Sequence, residues 1–230
     1  GVEAINLLPG ANLSLTDAQF NSFFASNSSL NGTGSLTINM TGTDFEFYML
    51  QFANLGAPAA TVIINGSTND DVIKGMLNYG NTINGGDGHD LVRGGTQVDI
   101  LNGGNGDDKI IGGLGADILT GGAGSDIFRF ATAAQSGLGA AADQNTDFVV
   151  GQDRIAWAQW DADALTPGYQ RISFIGNSAF AATGIGQVRY MDSGGDLMVQ
   201  VDTDGNGSAD MEIVLQGLVG QTLTGGDFIL

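Results

Sequence analysis

The sequence predicts an all-β protein built around a parallel β-roll, a right-handed β-solenoid, with a β-rich N-terminal extension and a C-terminal β cap. Three observations carry this. Aspartates recur every nine residues at Asp90, Asp99, Asp108, Asp117 and Asp126. Each sits in a glycine-rich turn that opens with a glycine pair, at Gly85-Gly86, Gly94-Gly95, Gly103-Gly104, Gly112-Gly113 and Gly121-Gly122. Two residues after each aspartate comes an apolar residue: Val92, Leu101, Ile110, Leu119 and Phe128. Glycine permits a tight, partly left-handed turn, the aspartate offers a hard oxygen ligand, and the apolar position supplies one rung of a core. A fixed short period of this kind marks a stacked repeat architecture.

Residues 1–61, the N-terminal extension, are rich in Asn, Ser, Thr and Gly. Within them Ser35 to Met40, Phe45 to Leu50 and Thr61 to Ile64 read as strands. Leu36, Ile38 and Met40 alternate with polar residues, the period of a half-buried strand. Thr16-Asp17-Ala18-Gln19 has the form of a capping box and predicts a helix start, with Phe20, Phe23 and Phe24 as core contacts. The lack of a starting methionine suggests a C-terminal piece of a longer protein, or a processed product.

Residues 62–130 are the repeat array. Two weaker repeats precede the five in register. Gly66 to Lys74 places Asp71 in the ligand slot and Ile73 in the apolar slot. Gly75 to Asn84 is one residue too long and brings Asn81 and Ile83 to those slots. Ile64, nine before Ile73, starts the apolar ladder. Residues 131–230 form the cap: a loop over 131–145, then strands, with a hairpin joining Val188 to Met191 and Leu197 to Val201 through Asp192 to Asp196. Leu197, Val199 and Val201 alternate, as do Met211, Ile213 and Leu215, so each strand buries one face.

Two repeats make one coil, so turns on the same side lie eighteen residues apart and stack at ~4.8 Å, the interstrand spacing. A calcium ion with ligands at ~2.4 Å can bridge two such turns. This pairs Asp71 with Asp90, Asp90 with Asp108, Asp99 with Asp117, and Asp108 with Asp126, with Asn81 and Asp99 a weaker fifth pair, giving four to five ions. Composition agrees. The net charge is −18, and only Glu3, Glu46 and Glu212 of the 25 acidic residues are glutamates. Stacked carboxylates repel, and about five divalent ions would bring the charge magnitude from 18 to about 8. Metal binding is then coupled to folding.

The same charge argues against nucleic acid as a partner and against an anionic membrane surface. No apolar run is long enough for a membrane helix, so no membrane insertion is expected. Without cysteine there is no disulfide or thiol chemistry. His89, the one histidine, fills a variable turn position, and neither a His-Glu-x-x-His nor a Gly-x-Ser-x-Gly motif is present. No catalytic residues are expected. Asp202-Thr203-Asp204-Gly205-Asn206-Gly207-Ser208-Ala209-Asp210 has the opening of an EF-hand loop, but Ile213 stands where the bidentate glutamate belongs. A hairpin turn is the favoured reading.

The stretch from Gly85 to Phe130 resembles the RTX family of secreted bacterial proteins. Phe128-Arg129-Phe130, Thr146-Asp147-Phe148, Gln152-Asp153-Arg154-Ile155, Phe174 to Phe180 and Asp227-Phe228-Ile229-Leu230 look like the tail of serralysin-type metalloproteases. The resemblance implies calcium ligands from turn carbonyls and aspartates. One site is Gly86, Gly88, Asp90, Gly103, Asn105 and Asp108. The next on that side is Gly104, Gly106, Asp108, Gly121, Ala123 and Asp126. The opposite side gives Gly95, Gln97, Asp99, Gly112, Leu114 and Asp117, where Gln97 departs from the expected glycine. An upstream site uses Ser67, Asn69, Asp71, Gly85, Asp87 and Asp90 and departs at Ser67 and Asn69. The closing Asp227 to Leu230 resembles an uncleaved type I secretion signal, which implies type I secretion machinery as a partner. Two parents fit: an adhesin or surface-layer protein, contacting glycans or neighbouring subunits, or an extracellular enzyme such as a metalloprotease, lipase or alginate epimerase that this region exports and stabilises.

Overall fold

A computed structural model describes residues 4–7, 12–16, 29–32, 35–40, 62–157 and 172–230. Among these the chain is almost wholly strand and turn. The N-terminal strands are β1 (Ala4–Leu7), β2 (Asn12–Thr16), β3 (Ser29–Gly32) and β4 (Ser35–Asn39). The array comprises β5 (Val62–Asn65), β6 (Val72–Lys74), β7 (Asn81–Asp87), β8 (Leu91–Arg93), β9 (Ile100–Asn105), β10 (Lys109–Ile111), β11 (Ile118–Ala123) and β12 (Ile127–Phe130). The tail adds β13 (Asp143–Asn145), β14 (Arg154–Trp157), β15 (Ser173–Phe174), β16 (Gln187–Ser193), β17 (Asp196–Asp202), β18 (Met211–Leu215) and β19 (Phe228–Ile229).

Alternate strands go to opposite walls of a parallel roll. One sheet runs β19-β14-β12-β10-β8-β6, and the other runs β15-β16-β17-β18-β13-β11-β9-β7-β5-β4-β2. The predicted register holds: Ile110 pairs with Val92 and Phe128, and Leu101 with Ile83 and Leu119. These side chains, with Ile64, Ile73 and Ile155, are buried and fill the space between the walls. Close-packed rungs of this kind leave little room for volume changes.

The apolar ladder begins earlier than Ile64. Strand β4 pairs in parallel with β5, setting Leu36 and Ile38 beside Val62 and Ile64. On the outer face an asparagine ladder ties these strands together: the Asn84 amide donates to Asn65 Oδ1 and the Asn65 amide to Asn39 Oδ1, each at 2.8 Å. Thr16 ends strand β2. The remainder of the expected helix start, residues 17–24, and the expected strand Phe45 to Leu50 lie outside the described residues.

The expected loop over 131–145 contains two 3-10 turns and then β13, which returns to the roll beside β11. From there β18, β17 and β16 continue the sheet as an antiparallel meander with the expected alternation: Leu197, Val199, Val201, Met211, Ile213 and Leu215 are all buried. The final strand, β19, closes the other wall, where Phe228 stacks on Trp157 at 5.6 Å and meets Phe174 at 5.0 Å.

Candidate metal centre

The parallel register stacks the turns, so their aspartates form two ladders. On one side Asp71 N–H donates to Asp90 Oδ1, Asp90 N–H to Asp108 Oδ1 and Asp108 N–H to Asp126 Oδ1, at 2.8 to 2.9 Å. On the other, Asp99 N–H donates to Asp117 Oδ1 at 2.9 Å. Each carboxylate thus spends one oxygen on the rung below. The second oxygen of Asp90, Asp108, Asp117 and Asp126 is buried with no hydrogen-bond partner, as is Asp71 Oδ1. An orphaned buried carboxylate oxygen is costly, and a row of them calls for a cation.

Backbone oxygens converge on the same places. A Cβ added at Gly85 would stand 2.2 Å from Gly103 O and 2.4 Å from Asp90 Oδ2. At Gly103 it would stand 2.6 Å from Gly121 O and 2.3 Å from Asp108 Oδ2. Gly104, at φ +117°, illustrates why glycine is required: its conformation is left-handed, and a Cβ would lie 2.0 Å from Gly86 O. Gly106 meets Gly88 O in the same way. Asn105 O and Ala123 O accept from Gly88 N–H and Gly106 N–H, which locks successive turns in register. The donor set is all hard oxygen, with no nitrogen or sulfur, and suits calcium.

The upstream turn keeps this geometry despite its departures. Ser67 O and Asn69 O approach Gly86 and Gly88 as the glycine carbonyls do one coil later. Ser67 N–H and Oγ–H also hold Asp71 Oδ2, at 2.6 and 2.9 Å, and Asp87 N–H donates to Ser67 O.

The opposite side is less regular. Gly95 is not among the left-handed glycines, and its N–H donates to Asp99 Oδ2 at 2.5 Å, so the carboxylate oxygen that stays open in Asp90, Asp108, Asp117 and Asp126 is here taken, as it is in Asp71. Gln97 in place of glycine coincides with this altered turn. Gly95 O and Gln97 O still approach Gly113 and Gly115 of the next turn, and Leu114 N–H donates to Gly95 O. Asn81 departs from the ligand role expected for it. Its Oδ1 accepts from Met76 N–H, and its Nδ2 donates to Met76 O, Tyr79 O and Asp99 Oδ1. An N–H donor faces Asp99 where a cation was expected, and both amide atoms are spent on the protein.

Three aspartates of the tail bond to the repeat turns and are not marked as ligands by the nine-residue spacing. Asp117 N–H donates to Asp143 Oδ1 at 2.9 Å, and Asp126 N–H to Asp153 Oδ1 at 3.0 Å, so each ladder gains a further rung in the tail. Asp143 Oδ2 is buried without a partner. Asp147 accepts from Gly121 N–H and Gly122 N–H. Asp153 carried a legible signal, since Ile155 follows it two residues later as in the repeats; Asp143 is followed by Asn145 and carried none.

Burial raises these carboxyls. It lifts Asp90 and Asp126 to about 6, Asp108 and Asp117 to about 7, and Asp143 to about 8, with neighbouring aspartates adding to the rise; Asp99 and Asp153 also rise, again chiefly through burial. The fold concentrates carboxylates that resist ionisation without a counterion.

Asp202 to Asp210 form the connection between antiparallel β17 and β18, as expected for a hairpin. Oxygens of Asp202, Asp204 and Asp210 lie within 4.8 Å of one another. Asp202 accepts from Gly205, Asn206 and Gly207 N–H, and Asp210 Oδ2 from Thr203 N–H and Oγ–H. His89 is a turn residue whose Nδ1 accepts from Asp107 N–H. Among the described residues no helix is long and apolar enough to cross a membrane.

No curated protein matches the chain. Solved structures similar to it include two solution structures from the Azotobacter vinelandii mannuronan C5-epimerase. The AlgE6R3 subunit is 27% identical, with 71% of this chain and 80% of that one covered and a TM-score of 0.42. The AlgE6R2 subunit is 30% identical, with 72% and 90% covered and a TM-score of 0.38. The family model described as Peptidase M10 serralysin C terminal matches residues 57–230. The chain belongs to this serralysin C-terminal family, whose repeats are of the RTX calcium-binding type.

Proposed function

We propose that the chain is a non-catalytic module of a secreted protein, folded by extracellular calcium and carrying a type I export signal at its end. The observation that carries this is the double ladder of buried aspartates, in which Asp71, Asp90, Asp108, Asp117, Asp126 and Asp143 each keep an unpartnered oxygen. Calcium shared by Asp71 and Asp90, Asp90 and Asp108, Asp108 and Asp126, and Asp99 and Asp117 satisfies those oxygens. Asp143 and Asp153 extend the same arrangement. At low calcium the like charges oppose stacking, and the chain stays loose enough to thread an exporter. At outside concentrations, where modules of this kind bind at ~10⁻⁴ to 10⁻³ M, the roll closes.

The C-terminal motif supports export before folding. Asp227 is buried, its Oδ1 accepting from Gly151 N–H and its Oδ2 from Thr224, and Phe228 packs in the cap. A signal occupied this way in the folded state is available only in the unfolded chain. The test is export of a passenger fused to residues 1–230 by cells carrying a type I exporter. Secretion that requires residues 227–230 and fails when the fusion is pre-folded supports the reading; secretion indifferent to both contradicts it.

The parent protein is proposed to be an adhesin or surface-layer protein, in keeping with the Asn-, Thr- and Gly-rich start. A second parent, an extracellular enzyme that this module exports and stabilises, is favoured by the family's name and by the epimerase source of the similar structures. The sequence upstream of Gly1 in the parent decides between them: a metalloprotease or hydrolase motif marks the enzyme, and tandem Thr/Asp-rich β domains mark the adhesin.

A further inference from the structure

The variable turn positions give the roll two unlike edges. The edge of Asp90 and Asp108 holds Asp70, Asp87, His89, Asn105, Asp107 and Ser125, all exposed. The turns on the edge of Asp99 and Asp117, residues 75–80, 94–98 and 112–116, carry no charge at all and present Leu77, Val98 and Leu114. Thr96 N–H donates to Leu77 O and Leu114 N–H to Gly95 O, so these turns stack. Leu77 and Val98, 63% and 57% exposed, are the most exposed large apolar side chains among the described residues, and Leu114 is 42% exposed. Ile100, at 48%, carries the apolar edge onto the eleven-stranded wall. One outward column of that wall runs Thr37, Ile63, Thr82, Ile100, Ile118 and Gln144, and Val214 and Met198 continue it into the cap. The column beside it is the asparagine ladder, prolonged by Asn102, Thr120 and Thr146. From β4 to β13 neither column holds a charge, in a chain of net charge −18. Contiguous apolar exposure of this kind marks an interaction site.

We propose that this corner, the apolar turn edge together with the neutral wall, docks a second copy of the chain as an isologous two-fold dimer. Charge selects the occupant. Copies of so acidic a chain repel one another. The acidic edge, or the wall that carries Arg93, Lys109, Arg129 and Arg154, would meet its own copy with like charge. The corner meets its own copy with none. Its chemistry suits burial. Ile63, Thr82, Ile100 and Ile118 are β-branched and stiff, so packing costs them little side-chain freedom. The amides of Asn65 and Asn84 already donate within their ladder, so covering them strands few hydrogen-bonding groups. Size sets the strength. From β4 to β17 the columns run ~34 Å by ~10 Å, and with the turn edge the corner offers ~500 Å² per copy. A standard interface buries ~800 Å² per partner, and ~1,000 Å² in total is the low end for a specific one. The dimer is therefore weak and reversible.

The proposal rests on the roll being folded in calcium, so circular dichroism accompanies every measurement. The experiment is sedimentation equilibrium of residues 1–230 in calcium, from ~1 μM to ~1 mM chain. Expected is a monomer–dimer equilibrium with a Kd of ~10 to 100 μM. Added salt is expected to strengthen it, because screening relieves the repulsion between copies. The variant Leu77→Ser/Val98→Ser/Ile100→Thr/Leu114→Ser is expected to weaken the dimer about tenfold or more, since it removes most of the apolar area of the edge. Ile100→Lys alone, at an outward strand position, carries the test if the quadruple variant loses its calcium response. Val219→Ser, in the cap and 52% exposed, is the control and is expected to change nothing. Folded protein that stays monomeric throughout, or dimerises unchanged after the substitutions, overturns the proposal. So does a dimer that salt dissolves, which would place the cationic wall of one copy on the acidic turns of another. A chain that calcium fails to fold overturns the folding reading, and this proposal with it.

Discussion

Replacing Asp108 by asparagine separates the two roles the ladder assigns to this residue. Asparagine keeps Oδ1 in place to accept from Asp90 N–H, a bond of 2.8 Å, while an amide nitrogen replaces the unpartnered Oδ2. Without calcium this removes a buried charge. Burial and the neighbouring Asp90 and Asp126 push Asp108 from 3.8 to about 7. That rise corresponds to at most ~4 kcal/mol against the ionised form in the folded state, and solvent screening at the turn edge reduces it to ~2 kcal/mol. The calcium-free variant is therefore expected to be more stable than the parent by ~2 kcal/mol near neutral pH. With calcium the sign reverses. Asp108 is shared by two sites, and each bound ion stabilises by ~1.4 to 2.7 kcal/mol at 10 to 100 times its Kd, so the variant is expected to lose ~3 to 5 kcal/mol. Urea unfolding in chelator, with trimethylamine oxide to bring the folded state into range, and in calcium measures both. Asp107→Asn, an exposed turn position, serves as the control. A variant less stable in chelator yet unchanged in its calcium response would refute the reasoning.

Four further outcomes follow from the same geometry. Gly104→Ala forces a left-handed residue and a 2.0 Å contact with Gly86 O, and is expected to cost more than ~3 kcal/mol in calcium by urea midpoint. Asp143→Asn keeps the acceptor for Asp117 N–H but is expected to lower calcium stoichiometry by about one ion, measured by equilibrium dialysis. In calcium-depleted buffer the folded carboxyls at about 6 to 8 lie above their unfolded value, so stability is present at low pH and lost as pH rises through that window; circular dichroism is expected to show more β structure at mildly acidic than at mildly alkaline pH, and calcium affinity is expected to rise over the same range. Ile110→Ala removes a fully buried rung and is expected to cost ~2 to 5 kcal/mol.

The roll and the middle of each ladder were legible in the sequence because both depend on short-range periodicity. Nine residues hold one turn, one ligand and one core side chain, and the eighteen-residue pairing of Asp90 with Asp108 needs only that period. The ends were not legible because their contacts break the period. Asp143 follows Asp117 by 26 residues and Asp153 follows Asp126 by 27, since the segment after Phe130 makes an excursion before β13 returns. Strand β4 likewise meets β5 across 26 residues, so the apolar ladder begins before Ile64, running through Leu36 and Ile38 to Leu15 of β2 beside Ile38. Asn81 shows a different limit. Its slot follows from spacing, but whether its oxygen or its nitrogen faces Asp99 is decided by Met76 and Tyr79, which the extra residue of that repeat brings within reach. At Gln97 the departure from glycine was readable, and its structural correlate is the Gly95 N–H turned onto Asp99.

The central claim is that buried aspartate ladders make folding wait for calcium, and far-UV circular dichroism during a calcium titration of the chelator-treated chain tests it most directly. The account predicts little β signal in chelator and a cooperative gain at ~10⁻⁴ to 10⁻³ M calcium, reversed by chelator and absent with magnesium at the same concentration. A full β spectrum in chelator that calcium leaves unchanged would contradict it.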